Sequence, residues 1–346
     1  MSFKVTVQPS GHTFEAEAHE PILDAAMRQA VDLSYGCRNG VCGSCAGYVL
    51  SGQVKYSARP SALTADLEVQ NKALFCMAMA ESDLVIQIIE LDNQALPIKK
   101  IRCRVEDKHK LSHDVMLLKI KLAGDERLHY HAGQYVEFIL EDGRRRSFSI
   151  ANAPHADSLL ELHVRHVTGG FFTDYLFDQM PDKSMLRMEG PLGNFYLREH
   201  SDRPIILMGG GTGFGPLKAI IEHVLHIGIK QTIHLFMGVR SLRDLYMQEL
   251  VETWVKQYPM IRFTPVLSEP QAADNWQGEN GFVHQAVLRS YADLSPFDIY
   301  MSGPPPMVNA AATEFATQGA RREHMYSDAF YYSADAIRAI EEAGGK

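Results

Sequence analysis

Four cysteines, Cys37, Cys42, Cys45 and Cys76, restrict what this chain can become more than any other feature. Three stand in the run S-Y-G-C-R-N-G-V-C-G-S-C-A, and the fourth follows in L-F-C-M-A with thirty residues between. Gly36, Gly40, Gly43 and Gly47 are interleaved with them. The spacing C-x4-C-x2-C followed by a remote cysteine is that of a plant-type [2Fe–2S] centre, where a tight glycine-bearing loop supplies three thiolates and a second segment the last. A structural zinc site is the alternative. It calls for paired C-x2-C units, and only one such pair occurs here.

Composition narrows the rest. The 346 residues are enough for two or three domains, and 46% hydrophobic with 22% charged residues is ordinary for a globular protein. No apolar run approaches a membrane span, and the start M-S-F-K-V-T-V-Q-P-S-G lacks the apolar core of a signal peptide, so a cytoplasmic location is expected. Five cysteines in a reducing compartment point to metal binding over disulfides, with Cys103 in I-R-C-R-V read as a plain strand residue. A net charge of −8 disfavours nucleic acid as a partner. Residues 1–94 hold 11 Asp and Glu against 6 Lys and Arg, an acidity able to steer a basic protein partner or simply to keep the segment soluble.

Three kinds of patterning follow one another. In residues 1–94, Phe3, Val5 and Val7 alternate as in a half-buried strand, Pro21 opens the helical stretch P-I-L-D-A-A-M-R-Q-A, and L-V-I-Q-I-I (84–89) reads as a closing buried strand. A polar, proline-containing stretch predicts a linker over 95–100. Residues 101–199 read as strand after strand, separated by turns such as E-D-G at 141–143, which predicts an antiparallel sheet or barrel. Residues 200–346 alternate strand and helix, which predicts a parallel sheet flanked by helices.

Each later segment carries a motif. R-R-R-S-F-S (144–149) offers Arg146 to neutralise a phosphate, Phe148 as a flat face and Ser149 as a small hydroxyl; an ordinary strand end would look the same. V-T-G-G-F-F-T-D-Y-L (167–176) puts two glycines before a helix start, where amides bind anions and Thr173 can add a hydroxyl, or where the run is only a turn and cap. G-G-G-T-G-F-G-P (209–216) follows an apolar strand and precedes a helix, a setting suited to a pyrophosphate, although G-x-G-x-x-G matches in no register. M-S-G-P-P-P-M-V (301–308) ends another strand in a rigid turn at the carboxyl edge, where open α/β sheets bind ligands. His129 and His131 read as strand-flanking residues.

Taken in order, these motifs resemble the ferredoxin–NADP reductase superfamily joined to an N-terminal plant-type ferredoxin domain. The pattern R-x-Y-S is matched by Arg146-Ser147-Phe148-Ser149, the second flavin strand by His163-Val164-Arg165-His166, and the G-x-x-S/T turn by Gly170-Phe171-Phe172-Thr173. G-G-T-G-x-x-P is matched by Gly210-Gly211-Thr212-Gly213 through Pro216, C-G-P-P by Ser302-Gly303-Pro304-Pro305 with Met307 following, and the terminal aromatic segment by M-Y-S-D-A-F ending at Phe330. The resemblance implies a multidomain α+β and α/β protein. It would have a β-grasp ferredoxin domain, an antiparallel β-barrel binding FAD, and a parallel-sheet domain binding NAD(P). It further implies that Arg146 binds the flavin diphosphate, Phe148 stacks on the isoalloxazine and Ser149 hydrogen-bonds near its N5. Gly170 to Thr173 would cradle the pyrophosphate, and Phe330 would cover the other flavin face, with Ser302 beside the nicotinamide. Phe148 stands where tyrosine is usual and loses a hydroxyl, so weaker flavin retention is expected. Ser302 stands where cysteine is usual and keeps a hydrogen-bond donor.

The implied activity is an iron–sulfur flavoprotein reductase passing electrons from NADH to FAD to [2Fe–2S] to an acceptor protein, because a flavin links a two-electron donor to one-electron carriers. An oxygenase component is the expected acceptor. R-R-S-F-S-I-A-N-A-P, E-L-H-V-R-H-V and G-F-V-H-Q-A-V-L also resemble reductases that serve pyridoxamine-phosphate-dependent CDP-4-keto-6-deoxyhexose 3-dehydrases. A non-catalytic electron-transfer module and a free-flavin reductase are the remaining alternatives. Arg240 and Arg243 in G-V-R-S-L-R-D-L-Y can take a 2′-phosphate, which would favour NADPH; similar stretches in oxygenase reductases make NADH the expectation.

Overall fold

The structure is a computed structural model and describes residues 2–38, 40–90, 96–124, 126–156, 158–332 and 336–338. The chain divides into two compact units, Met1–Pro97 and Ile98–Lys346.

The first unit wraps a sheet around one helix. β1 (Ser2–Gln8), β2 (Thr13–Glu17), β3 (Ala46–Ser51), β5 (Lys72–Leu74) and β7 (Leu84–Gln87) form a mixed sheet in the order β2-β1-β7-β3-β5. A two-stranded ribbon joins β4 (Val54–Lys55) to β6 (Met79–Ala80), and α2 (Ala65–Val69) lies between β4 and β5. Val5, Val7, Phe14 and Ala16 on one sheet face meet Ile22, Leu23, Ala25 and Ala26 of α1 (Ile22–Arg28), the period-2 and period-3.6 patterns matched across one core. Two expectations shift. Pro21 stands just before the helix and bridges to Met79, and the helix stops at Arg28 because Ala30 turns to φ +57°. β7 ends at Gln87, opposite Gln8 of β1, beyond which Pro9 has no N–H to offer; Ile89 is 65% exposed.

The second unit opens with an antiparallel barrel. β8 (Lys99–Lys110), β9 (Val115–Leu122), β10 (Tyr135–Ile139), β11 (Arg145–Ser149), β12 (Leu160–Arg165) and β13 (Met185–Leu192) run in the order β11-β10-β13-β8-β9-β12. The bridge Ile150–Leu162 joins the two edge strands and closes the circuit. Val105, Leu118, Ile120, Phe138, Leu162 and Val164 fill its interior. Lys99 and Lys100 already belong to β8, so the strand begins inside the stretch expected as linker; residues 91–95 lie outside the described ones. Cys103 is buried in β8, and burial pushes its thiol up to about 12, as suits an inert strand residue.

Six parallel strands follow: β14 (Ile205–Gly210), β15 (Ile233–Val239), β16 (Ile261–Leu267), β17 (Glu279–Asn280), β18 (Asp298–Gly303) and β19 (Met325–Ala329). Their order is β17-β16-β15-β14-β18-β19, with α4 (Phe214–Ile227), α5 (Gln248–Gln257), α6 (Val283–Ser290) and α7 (Pro305–Thr317) as connections. The chain winds outward in opposite directions from β14 and β18. The crevice at the carboxyl ends of this pair is the switch point where such sheets bind ligands. The glycine run and the S-G-P-P turn sit on those two strand ends.

Candidate functional site

In the first unit, Cys37 and Cys42 lie in the loop after α1, Cys45 immediately precedes β3, and Cys76 follows β5. The pairing Ala46–Leu74 draws the last two together, and the Phe75 N–H donates to the Cys45 carbonyl at 3.2 Å. The Cys42 sulfur accepts N–H bonds from Cys37 at 3.3 Å and Ser44 at 3.4 Å. Its thiol is pushed down to about 5, chiefly by a side-chain hydrogen bond with Cys37 and further by these amides. A hydrogen bond between Cys45 and Cys76 lowers the first thiol and raises the second. The sulfurs therefore form two pairs, 37 with 42 and 45 with 76. Among the described residues, the only trio of His, Cys, Asp or Glu ligand atoms lying within 4.8 Å of one another is His113, Asp114 and Asp244, so no three of the sulfurs converge on a single-metal spacing. Two such pairs fit two irons better than one tetrahedral zinc. Tyr56 completes the arrangement: its hydroxyl accepts the Leu74 N–H at 3.0 Å, on the free edge of β5 two residues before Cys76. A tyrosine twenty residues away has no sequence signal for that role.

In the barrel, β11 carries R-R-S-F-S with strict alternation. Arg146 and Phe148 lie opposite Phe138 and Val136 of β10, whereas Arg145 and Ser147 face Glu137, at 2.8 and 3.2 Å. Ser147, expected at the cofactor, thus turns toward Glu137. The ring of Phe148 lies 5.5 Å from those of Phe138 and Phe172, which sets β11 beside α3 (Phe171–Asp174) and joins two motifs distant in sequence. Phe172 itself is buried in the barrel core, so its backbone is what can face a ligand. The Thr173 hydroxyl donates to the Val167 carbonyl at 2.9 Å and accepts the Val167 N–H at 3.2 Å. It closes the turn, which leaves the first-turn amides of α3, not this hydroxyl, to meet an anion. Phe171 is exposed, with the Arg144 guanidinium 4.2 Å above its ring.

The switch-point crevice is tightly built. A Cβ on Gly213 would stand 2.1 Å from the Ser302 carbonyl, and one on Gly303, at φ +141°, 2.8 Å from the Gly210 carbonyl. Only glycine lets these backbones touch. Met307 and Pro304 crowd Gly210 in the same way, while Gly211, Thr212 and Gly213 form a 3-10 turn into α4, and Pro305 starts α7. Ser302, on the strand end beside the crevice, is fully buried and its hydroxyl has no partner. The Phe330 N–H donates to the Gly303 carbonyl at 2.9 Å, pinning the end of β19 to the turn. One contact then joins this edge to the barrel: the Ser149 hydroxyl donates to Asp328 Oδ2 at 3.0 Å. Asp328 was not singled out from the sequence; only its place in β19, beside Ser302, reveals it.

β12 decides the remaining expectations. Val164 points into the barrel core, so it can contribute only backbone. Glu161, His163 and Arg165 alternate outward toward the parallel sheet. His163 Nδ1 meets the Tyr246 hydroxyl at 3.0 Å, its ring stacks near Phe214, and Nε2 has no partner; burial pushes the imidazole down to about 3. It is enclosed at the seam between Tyr246 and Phe214. Arg165 donates from Nε to Asp114 at 2.8 Å, and its guanidinium comes within 3.0 Å of a Cβ placed on Gly211, against the glycine turn. Arg240 follows β15 as an exposed residue, and the Arg243 side chain is 76% exposed.

The matched protein families have the same three parts. Residues 5–81 match a 2Fe-2S iron-sulfur cluster binding domain, 102–196 an oxidoreductase FAD-binding domain, and 207–313 an oxidoreductase NAD-binding domain. The CDP-6-deoxy-L-threo-D-glycero-4-hexulose-3-dehydrase reductase of Yersinia pestis is 35% identical over 95% of this chain and 99% of its own. The chain belongs to the ferredoxin–NADP reductase superfamily, with an N-terminal [2Fe–2S] domain. The phenol hydroxylase P5 protein of Acinetobacter pittii is likewise 35% identical to this reductase, over 97% of the chain and 96% of its own. In the crystal structure of the Amycolatopsis cytochrome P450 reductase GcoB, 95% of the reductase superposes on 98% of that chain with a TM-score of 0.81 and 31% identity. The reductase is an iron–sulfur flavoprotein oxidoreductase using FAD, a [2Fe–2S] cluster and NADH. No helix among the described residues is long and apolar enough to cross a membrane.

Proposed function

We propose that the reductase delivers single electrons from NADH to the oxygenase component of a multicomponent system. The observation that carries the reading is the Ser149–Asp328 hydrogen bond, which brings the R-S-F-S strand and the S-G-P-P edge to one point. A bound flavin would supply the exchange between two-electron and single-electron transfer, and a bound cluster would supply single-electron transfer. Every other role falls to the chain. Arg146 and the first-turn amides of α3 neutralise the flavin diphosphate, and Phe148 offers its ring face. Because the Ser149 hydroxyl gives its proton to Asp328, its oxygen is left with lone pairs to accept a hydrogen bond where the hydride arrives. Gly210 to Gly213 let the nucleotide backbone approach, with Arg165 behind Gly211. Phe330, tethered through its N–H to Gly303, covers the nicotinamide place and excludes water until substrate displaces it. The two sulfur pairs hold the cluster.

A second acceptor, a pyridoxamine-phosphate-dependent dehydrase, is favoured by the Yersinia relative, which aligns over 99% of its length. Mixing the purified reductase with NADH under anaerobic conditions separates the readings. Bleaching of flavin and cluster bands is expected, followed by reoxidation on adding an oxygenase component. No bleaching removes the reductase reading, and reoxidation by a dehydrase alone assigns the other partner.

A further inference from the structure

Among the described residues, Lys218 is the one lysine or arginine that is buried, at 4% exposure. It stands on α4 one turn beyond Gly211–Gly213, and its three ammonium protons have three acceptors. These are the Ala151 carbonyl at 3.0 Å, Glu161 Oε2 at 3.1 Å and Glu222 Oε1 at 2.8 Å. Ala151 and Glu161 belong to the barrel, and the Ala151 N–H donates to the Glu161 carbonyl at 2.7 Å, so the two barrel acceptors are locked to each other. Ala151 lies two residues after Ser149. Glu222 is on α4 itself. Beside this knot the seam between barrel and parallel sheet opens into a cleft of about 580 Å³ lined by His155, Glu222 and His226, among others. Apolar packing therefore does not fill the seam there.

We infer that Lys218 is a positioning residue for hydride transfer: it ties the helix that begins at the nucleotide turn to the strand that presents Ser149. A buried ammonium is tolerated only when each proton is matched, which makes the arrangement sharply defined. A slide of about 1 Å along the seam would stretch the bonds to Ala151 and Glu161 past hydrogen-bonding range. Reacting atoms misplaced by a similar amount lose about 100-fold in rate. Burial pushes the Glu222 carboxyl up, as expected where one ammonium serves two carboxylates.

The inference rests on NADH reducing the flavin, so the wild-type holoprotein is the control; if its flavin is not reduced, the reductase reading fails first. Lys218→Arg, Lys218→Met and Lys218→Met/Glu222→Gln holoproteins are compared by stopped flow over a range of NADH concentrations. The double variant removes the surplus charge and so guards against misfolding. Expected for both Met variants is a limiting flavin-reduction rate about 10- to 100-fold lower, with the Kd for NADH held within about threefold, and partial rescue in Lys218→Arg. Hydrogen exchange on the same holoproteins should show protection lost together at residues 149–153 and 211–218. A limiting rate unchanged below the melting temperature, or exchange rising on α4 alone, overturns the inference and leaves Lys218 a stabilising residue only.

Discussion

Replacing His163 and Tyr246 together by phenylalanine should make the reductase resist acid better than the natural chain. The pair is buried at the seam, joined by a 3.0 Å hydrogen bond, and the imidazole titrates near 3 against 6.5 when free. Burial, with Lys218 adding repulsion, is the cause. The folded protein holds this imidazole neutral, whereas the unfolded chain takes up a proton below about pH 6.5. Between that pH and about 3 the unfolded state binds more protons, so stability falls as pH falls, by about 1.4 kcal/mol per unit from this one group. From pH 8 to 4.5 the loss amounts to about 2–3 kcal/mol. Removing both partners for apolar rings of similar shape leaves no unmatched hydroxyl, so at pH 8 the double variant should match the natural protein within about 1 kcal/mol. Both tryptophans, Trp254 and Trp276, report on the parallel-sheet part, so urea unfolding followed by their fluorescence at a series of pH values reads the seam. The two curves should cross, with the variant the more stable at pH 4.5. Curves that stay parallel to within about 0.5 kcal/mol would refute a buried neutral histidine at this seam.

Three further outcomes are expected. Cys42→Ser should abolish the cluster absorbance and transfer to cytochrome c while NADH still bleaches the flavin; transfer that survives would mean that electrons leave by another route. Ser149→Ala, which breaks the bond to Asp328, should slow flavin reduction about 10- to 100-fold in stopped flow without releasing flavin, and an unchanged rate would remove Ser149 from the reaction. Tyr56→Phe leaves the Leu74 N–H unmatched at a cost of about 1–3 kcal/mol, so the cluster should bleach faster in chelator at equal protein stability elsewhere. Equal bleaching rates would show that Tyr56 does not hold the Cys76 turn.

Local chemistry was legible in the chain. The cysteine spacing, the flat-and-charged strand R-S-F-S, and the glycines before α4 each state a local need that the backbone must meet nearby. The strand–helix alternation was equally plain, because periods of 2 and 3.6 record which face of an element is buried. Boundaries were less so. Pro21 fell outside the helix and Ile89 outside the sheet, since those limits depend on what the neighbouring strand can pair. Side-chain roles shifted for the same reason. Ser147, His163 and Thr173 stand in motifs by position, and the structure gives them the partners Glu137, Tyr246 and Val167, of which the first two lie outside those motifs.

By itself, then, the chain determined the cysteine spacing and the succession of sheet types, because residue spacing and hydrophobic period are written residue by residue. Only the tertiary structure decided how the sulfurs pair, which carboxylate meets Ser149, and that Lys218 binds the barrel. Those contacts join strands and helices far apart in sequence. They exist only once β3 has paired with β5, Ile150 has closed the barrel onto Leu162, and α4 has settled against Ala151.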